Sequence, residues 1–160
     1  MKKWLKISVA FLTLLCLLGC GYQNITVSET DPDIKYMMTY NQFIEIKGKD
    51  WVAKDSLADT PNIAYQYSES VFGYDADVYY TFNPKNLIEV SYVIEAEDKE
   101  DAYQTVVSAF ERDYEKQEGF YCEQKNDENT SFGVKGDGFW IYIDCSLTET
   151  GVSVRCSFQS

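Results

Sequence analysis

Alternation of apolar and polar residues dominates the middle of the chain. Apolar side chains recur at every second position in three segments, 63–67, 78–82 and 88–94. Two polar breaks separate these segments, one around Gly73 and the other around Pro84. Such alternation is typical of half-buried strands, and short polar breaks are typical of hairpin turns. We therefore predict a three-strand antiparallel meander.

A helical period replaces the alternation after residue 97. Asp98 is a suitable N-cap, and Gly119 is a suitable C-cap. Between them the apolar residues recur every three or four positions and are Ala102, Tyr103, Val106, Val107, Phe110 and Tyr114. This stripe predicts a long helix over 98–118 with one buried face. Up to four more strands are predicted after it, at 121–124, 131–134, 139–147 and 152–158.

A shorter helix is predicted near the start of the domain. Asp31 and Pro32 suit the N-cap and the first helical position, and apolar residues follow at helical spacing, which predicts a helix over 33–46. The alternation within Phe43-Ile44-Glu45-Ile46 favours a strand instead. Strands grouped in runs around a helix predict an α+β fold, in which the long helix packs on one face of an antiparallel sheet. No internal repeat is visible in the sequence.

The first twenty residues have the pattern of an export signal. Lys2, Lys3 and Lys6 precede an apolar run of 12 residues, from 7 to 18. A membrane-spanning helix needs about 20 such residues, whereas this length suits a secretory signal peptide. The run ends in Leu17-Leu18-Gly19-Cys20, which resembles the bacterial lipobox. That resemblance implies a diacylglyceryl group on the Cys20 sulfur and removal of residues 1–19. The alternative is an ordinary signal peptide with a chance cysteine.

The chain is thus predicted to have three parts: a signal peptide (1–19), a lipid anchor and tether (20–30) and a single α+β domain (31–160). The protein is expected at the cell membrane, lipid-anchored on the extracytoplasmic face. Loss of the leader, with its three Lys and no acid, changes the formal net charge from −12 to −15. Such a charge opposes contact with phosphate backbones, so nucleic acid is excluded as a partner.

The stretch YNQFIEIKGKDW, residues 40–51, resembles the first helix and turn of BamE-like and β-lactamase-inhibitor-like small secreted domains. Trp51 stands where a second short helix would begin. The likeness covers about 25 residues. Together with the acidic charge, this resemblance implies an inhibitor or immunity-type protein as one reading of the function.

The absence of histidine narrows the possible chemistry. The chain contains none, which removes the Ser-His-Asp and Cys-His mechanisms and His-ligated zinc. The carboxylates near Asp75 and Asp127 lack the spacing of a calcium-binding loop. We therefore predict no catalytic residue, metal or cofactor, although a hydrolase that uses carboxylates alone remains an alternative.

Three aromatic residues are candidates for a binding surface. Tyr79 alternates with apolar neighbours on one predicted strand, and Trp140 and Tyr142 do so on another. If the long helix covers the opposite face, these rings form a platform for a glycan or a protein. The alternative is that the segment 33–60 covers them as a second core layer. Non-catalytic binding of a protein partner or a cell-envelope glycan is the preferred prediction.

Three cysteines remain after the predicted lipidation. A two-residue turn at Thr150-Gly151 would place Cys145 opposite Cys156, at a separation that a disulfide can span. A longer loop would shift this register. The prediction is a Cys145–Cys156 pair with Cys122 buried and free, and the alternative is three reduced cysteines in the core.

Overall fold

The computed structural model describes residues 25–28, 31–57 and 59–160. Two helices lie in these ranges, α1 (Tyr40–Lys47) and α2 (Lys99–Tyr114). The strands are β1 (Ala53–Ser56), β2 (Ile63–Val71), β3 (Tyr74–Phe82), β4 (Leu87–Glu95), β5 (Phe120–Lys125), β6 (Asn129–Gly136), β7 (Phe139–Leu147) and β8 (Gly151–Gln159).

All eight strands belong to one antiparallel sheet, in the order β1-β2-β3-β4-β8-β7-β6-β5. Each half of the sheet is a four-strand meander preceded by a helix. The halves join where β4 pairs with β8, with Tyr92 opposite Val154. Strand β7 begins and ends 65 residues after β3, at Phe139 and Leu147 instead of Tyr74 and Phe82. The two halves therefore repeat one topology that the sequence does not reveal.

The predicted fold class is wrong. An α+β fold was expected, with a three-strand meander, one long helix packed on a face, up to four further strands and a shorter N-terminal helix. The described chain instead forms mostly one eight-stranded antiparallel sheet with two short helices. Strand β1 was missed because Ala53–Ser56 has no apolar alternation. The pairing of β4 with β8 was missed because contacts between distant segments leave no local sequence pattern.

The helices are also shorter than predicted. Helix α1 begins at Tyr40 instead of 33, because Thr39 forms a capping box with Gln42. The Thr39 N–H donates to Gln42 Oε1 over 2.8 Å, and Gly48, at a φ of 75°, follows the last turn. Phe43 lies in this helix and not in a strand. Helix α2 has 16 residues, with Asp98 as its N-cap, and ends at Tyr114 instead of 118.

The core lies between one face of the sheet and the elements packed on it. The Phe43 ring of α1 contacts rings of β2 and β3, including Tyr80 at 4.8 Å between centroids. The Phe110 ring of α2 contacts Tyr92 of β4 at 5.7 Å. Tyr36, from the segment before α1, stacks on Phe158 of β8 at 5.6 Å. Both helices and this segment therefore cover the same face.

The opposite face of the sheet is not covered by any described residue. Trp140 and Val93 remain 49% and 42% exposed on it. The segment from Ile34 to Phe43 packs on the helix side, so it does not form a second core layer over the predicted aromatic surface. Among the described residues, no helix is long and apolar enough to cross a membrane.

Candidate binding face

We call the uncovered side of the sheet the open face. Many of its positions carry small hydroxyl side chains, namely Ser68, Ser70, Ser91, Ser146, Ser153 and Ser157. Larger side chains stand among them and are Tyr79, Val93, Tyr121, Trp140 and Tyr142. Short side chains between exposed rings leave room for contacts from a partner.

Two of the three predicted surface residues come together at one end of this face. Trp140 and Tyr142 of β7 line a depression with Tyr121, Glu123 and Gln159. Its volume is about 260 Å³, which is below the range of roughly 300–1,000 Å³ usual for sites of drug-sized ligands. This aromatic depression therefore suits one sugar ring or the head of one side chain.

Gly133 explains how Tyr121 reaches the aromatic depression. A Cβ at this position would lie 2.9 Å from Tyr121 Oη and 2.2 Å from the Ile141 carbonyl oxygen. Only glycine lets the phenol of Tyr121 lie this close across β6. Burial raises the pKa of Tyr121, and Glu123 and then Tyr142 raise it further. The phenol is therefore neutral and able to donate a hydrogen bond at neutral pH.

Lys135 lies beside the aromatic depression. It is directly opposite Trp140 in the pairing of β6 with β7, and its Nζ lies 4.7 Å from the centre of the Trp140 ring. This is within the distance of a cation–π contact. The Trp140 ring is thus already in contact with a cation of the same chain.

Tyr79 is not part of this group. Its neighbours in the sheet are Gln66 and Ser91, and β3 is separated from β7 by β4 and β8. Three strand spacings amount to about 14 Å. The predicted surface of Tyr79, Trp140 and Tyr142 is therefore one pair of rings and one distant ring.

Tyr121, Glu123 and Gln159 were not among the residues predicted from the sequence. Tyr121 alternates with Phe120 and Cys122, a short pattern that places it on the open face once β5 is known to be a strand. A glycine inside a predicted strand, here Gly133, marks a close approach by another group. These two signals could have identified Tyr121, but not Gln159, which arrives from β8.

A second depression occupies the other end of the open face. Its lining includes Ser68, Asp75, Asp77, Val93 and Glu95, and its volume is about 490 Å³. The Ser68 hydroxyl donates to Asp77 Oδ1 over 2.9 Å. We call this the acidic depression. Asp75 and Asp77 hold the positions in β3 that Trp140 and Tyr142 hold in β7, 65 residues later.

Polar pairs occupy the middle of the open face. Arg155 Nε donates to Glu89 Oε2 over 2.7 Å, and the Ser131 hydroxyl donates to Asp144 Oδ1 over 2.8 Å. The Arg155 side chain is 65% exposed. Charge is therefore partly balanced at the centre, while the acidic depression stays negative.

A half-buried charged cluster lies on the core side. Lys47 of α1 pairs with Asp31 and, over 2.7 Å, with Glu69 of β2, and Tyr80 Oη donates to Glu69 Oε1 over 3.2 Å. Burial lowers the pKa of Lys47, but the hydrogen bonds that its ammonium group donates to both carboxylates raise the pKa more. Burial, then Glu69 and Asp31, raises the pKa of Tyr80. We call this group the lysine cluster.

The lysine cluster holds three parts of the fold together. Asp31 precedes α1, Lys47 is its last residue, and Glu69 lies in the sheet. Carboxylate-only hydrolysis needs one acid in an apolar pocket beside an ionised partner. Here both carboxylates share one ammonium group, which gives each of them the same partner. The cluster therefore supports a structural role and offers little for the hydrolase alternative.

The cysteines lie in a register different from the predicted one. Cys145 is opposite Val154, and Cys156 is opposite Ile143. The turn is centred on Glu149-Thr150, because the Thr148 N–H donates to the Gly151 carbonyl over 2.8 Å. The predicted Cys145–Cys156 alignment is therefore wrong by two residues, and both are free thiols.

The environments of the thiols differ. Cys145 and Cys156 are fully buried, and burial raises the pKa of Cys145 to about 12. Cys122 is free but exposed, so the prediction that it is buried is wrong. Its position on β5, at an edge of the sheet, accounts for the exposure.

Neither a metal site nor the predicted anchor lies among the residues that the structure describes. Within 25–28, 31–57 and 59–160, no group of three or more Cys, Asp or Glu side chains is placed to hold a metal ion. Cys20, the predicted lipidation site, lies outside the described residues.

Comparison with known proteins finds no matching family model, no matching curated protein and no matching solved structure.

Proposed function

We propose that this chain is a membrane-anchored extracytoplasmic lipoprotein that binds a protein partner on the open face without catalysing a reaction. The observation that carries the proposal is an eight-stranded sheet with one face uncovered by described residues, on which Trp140 is exposed beside Tyr121 and Tyr142. Exposed apolar groups framed by polar ones mark interaction sites.

The dimensions of the open face favour a protein over a small molecule. Eight strands at ~4.8 Å spacing give a sheet about 34 Å wide. With strands of nine residues at its centre, this area is comparable to the roughly 800 Å² that each partner contributes to a stable complex. The rings at one end of the face match the enrichment of aromatic residues in such interfaces.

The charge of the chain indicates what kind of partner fits. The acidic depression brings Asp75, Asp77 and Glu95 to one end of the face, and the whole chain has a formal charge of −12. A basic protein surface is the complementary partner. An inhibitor or immunity-type role is the version of this function in which the basic partner is an enzyme or a toxin.

Site-specific photo-crosslinking in cells tests the proposed function. A photoreactive residue at Ser157, in the middle of the open face, should give an adduct with a discrete protein. The matched control is Gln104, an exposed position on α2 on the other side of the molecule. Equal adducts from both positions, or none from Ser157, would contradict binding on the open face.

The membrane anchor is tested separately. Replacement of Cys20 by Ala should abolish incorporation of a fatty-acid analogue and release the protein from membranes, because two acyl chains are needed for stable attachment. Unchanged lipid incorporation in this variant would remove the anchor from the proposal and leave the binding face unaffected.

A further inference from the structure

We propose that the aromatic depression is a binding site for an organic cation. This inference rests on the proposed function for the source of the cation, which is the head of a Lys or Arg side chain on the protein partner. Three electron-rich rings and one carboxylate line the depression, from Tyr121, Trp140, Tyr142 and Glu123. Cations bind over aromatic faces, and alkylated ammonium groups are held in cages of such rings.

The fold holds these side chains in place. Trp140 and Tyr142 are two residues apart on β7, so both project to the open face. Tyr121 lies against the bare backbone of Gly133. The register of β5 against β6 shifts between Cys122 and Gln124, and Glu123 is the residue at this irregularity. A β-bulge redirects a side chain, which accounts for a carboxylate among the rings.

Electrostatics favours a cation over an anion. Glu123 is the ionisable acid of the lining, and its charge contributes to the raised pKa of Tyr121. Lys135 already places its ammonium group 4.7 Å from the centre of the Trp140 ring, although it does not line the depression. The same ring therefore has the geometry to accept a charge. Lys135 also repels an incoming cation, which predicts tighter binding when it is removed.

Size limits the ligand to one head group. The aromatic depression measures about 260 Å³, against about 490 Å³ for the acidic depression at the other end of the face. An ammonium or guanidinium group with its adjoining methylenes fits the smaller volume. A longer basic segment extending from it would cross the open face toward the acidic depression.

Nuclear magnetic resonance on the full-length protein in maltoside micelles tests the cation site. The probe is the indole N–H signal of Trp140, assigned with the Trp140→Phe variant. Choline is compared with 3,3-dimethyl-1-butanol, which has the same shape without the charge. Acetyl-lysine amide and acetyl-arginine amide represent protein side chains, and N-acetylglucosamine represents a neutral glycan.

The expected result is a saturable shift with choline and with both amino-acid amides, and none with 3,3-dimethyl-1-butanol. Glu123→Gln should weaken choline binding about fivefold, equivalent to about 1 kcal/mol. Asp75→Asn makes the same charge change in the acidic depression and should alter it by less than about twofold. Lys135→Met should tighten choline binding.

Each other outcome overturns the assignment. Equal shifts from choline and its neutral analogue would mean an apolar site, and saturation by N-acetylglucosamine alone would mean a saccharide site. Binding of choline without either amino-acid amide would keep an organic-cation site but overturn the Lys or Arg head of a protein partner as its ligand. Equal effects of Glu123→Gln and Asp75→Asn would mean a general charge effect.

The failure of this inference is distinguishable from failure of the proposed function. Crosslinks at Ser157 without cation binding would keep the protein partner and remove the cation site. Binding of the amino-acid amides without crosslinks would keep the site and remove the protein partner on the open face.

Discussion

Strands β3 and β7 occupy equivalent places in the two halves of the sheet, yet their outward residues have opposite character. Asp75 and Asp77 line the acidic depression in the first half, whereas Trp140 and Tyr142 line the aromatic depression in the second. Their inward residues are apolar or aromatic in both strands. The core thus requires similar burial from both halves, while the composition of the open face is free to differ between them.

The two helices are also held differently. Helix α1 has eight residues and is fastened by the Phe43 ring and the lysine cluster. Helix α2 has 16 residues and buries an apolar stripe. Its Phe110 ring contacts Phe72 and Tyr92, which belong to the first half. Helix α2 therefore also binds the two halves to each other.

The largest expected effect comes from emptying a core position under a helix. Phe110→Ala and Phe43→Ala each remove a fully buried ring, and each should lower the free energy of unfolding by about 3–5 kcal/mol. Urea unfolding measures the loss. With Trp51 reporting on the first half and Trp140 on the second, the two transitions should coincide, because one sheet joins the halves. Separate transitions would show that the halves unfold independently.

Removal of the central cation of the lysine cluster should have the next largest effect. Lys47→Met leaves Asp31 and Glu69 half-buried without their common partner, which should cost about 2 kcal/mol in urea unfolding. Lys125→Met is the control in the second half. It breaks an ion pair with Glu111 whose lysine is 56% exposed, and should cost under about 0.5 kcal/mol. Equal costs would mean that the lysine cluster is as well hydrated as a surface pair.

At high pH the two halves should contribute differently to the loss of stability, through Cys145 in the second half and Tyr80 in the first. These two residues hold corresponding positions 65 residues apart. Burial raises the pKa of Cys145 from 9.0 to about 12, so the folded state keeps a proton that the unfolded state loses. The contribution of this thiol to the free energy of unfolding is therefore fully present below pH 9. Above pH 9 it falls by about 1.4 kcal/mol per pH unit for one such group.

The Cys145→Ala variant should lose this part of the slope between pH 9 and 11 in urea unfolding. Burial also raises the pKa of Tyr80 above its ordinary value of 10.0, so Tyr80→Phe should reduce the slope only above pH 10. A slope below pH 10 that is unchanged by Cys145→Ala would contradict the buried thiol.

The smallest effect is expected at two glycines that hold corresponding places in hairpin turns, just before the start of β3 and β7. Gly73 and Gly138 have φ values of 89° and 78°, and a Cβ on either would meet no atom within 4 Å. Alanine at each position should therefore cost only the strain of a left-handed backbone, about 1 kcal/mol. Thermal unfolding of both variants measures it. A difference of more than about 1 kcal/mol between them would show that the first turn, in which Phe72 also has a positive φ of 55°, responds differently from the second.

The sequence allowed prediction of local features. Alternation at 63–67, 78–82 and 88–94 falls within β2, β3 and β4, and the stripe through Phe110 falls within α2. Outward placement of Trp140 and Tyr142 followed from the same period of two. The predicted bounds and registers were wrong where one local contact sets them. Thr39 caps α1, so the helix begins at Tyr40, and the turn at Glu149-Thr150 sets the register of the cysteines.

The acidic charge, the absence of histidine and the alternation of buried and exposed sides along single strands can be read directly from the chain. Those properties belong to individual residues or to neighbours within a few positions. Only the tertiary structure decided that β4 pairs with β8, and hence that two meanders form one sheet. The same holds for the aromatic depression, whose lining comes from β5, β7 and β8. Pairing between distant strands depends on the packing energy of the whole sheet, and a local pattern contains no record of it.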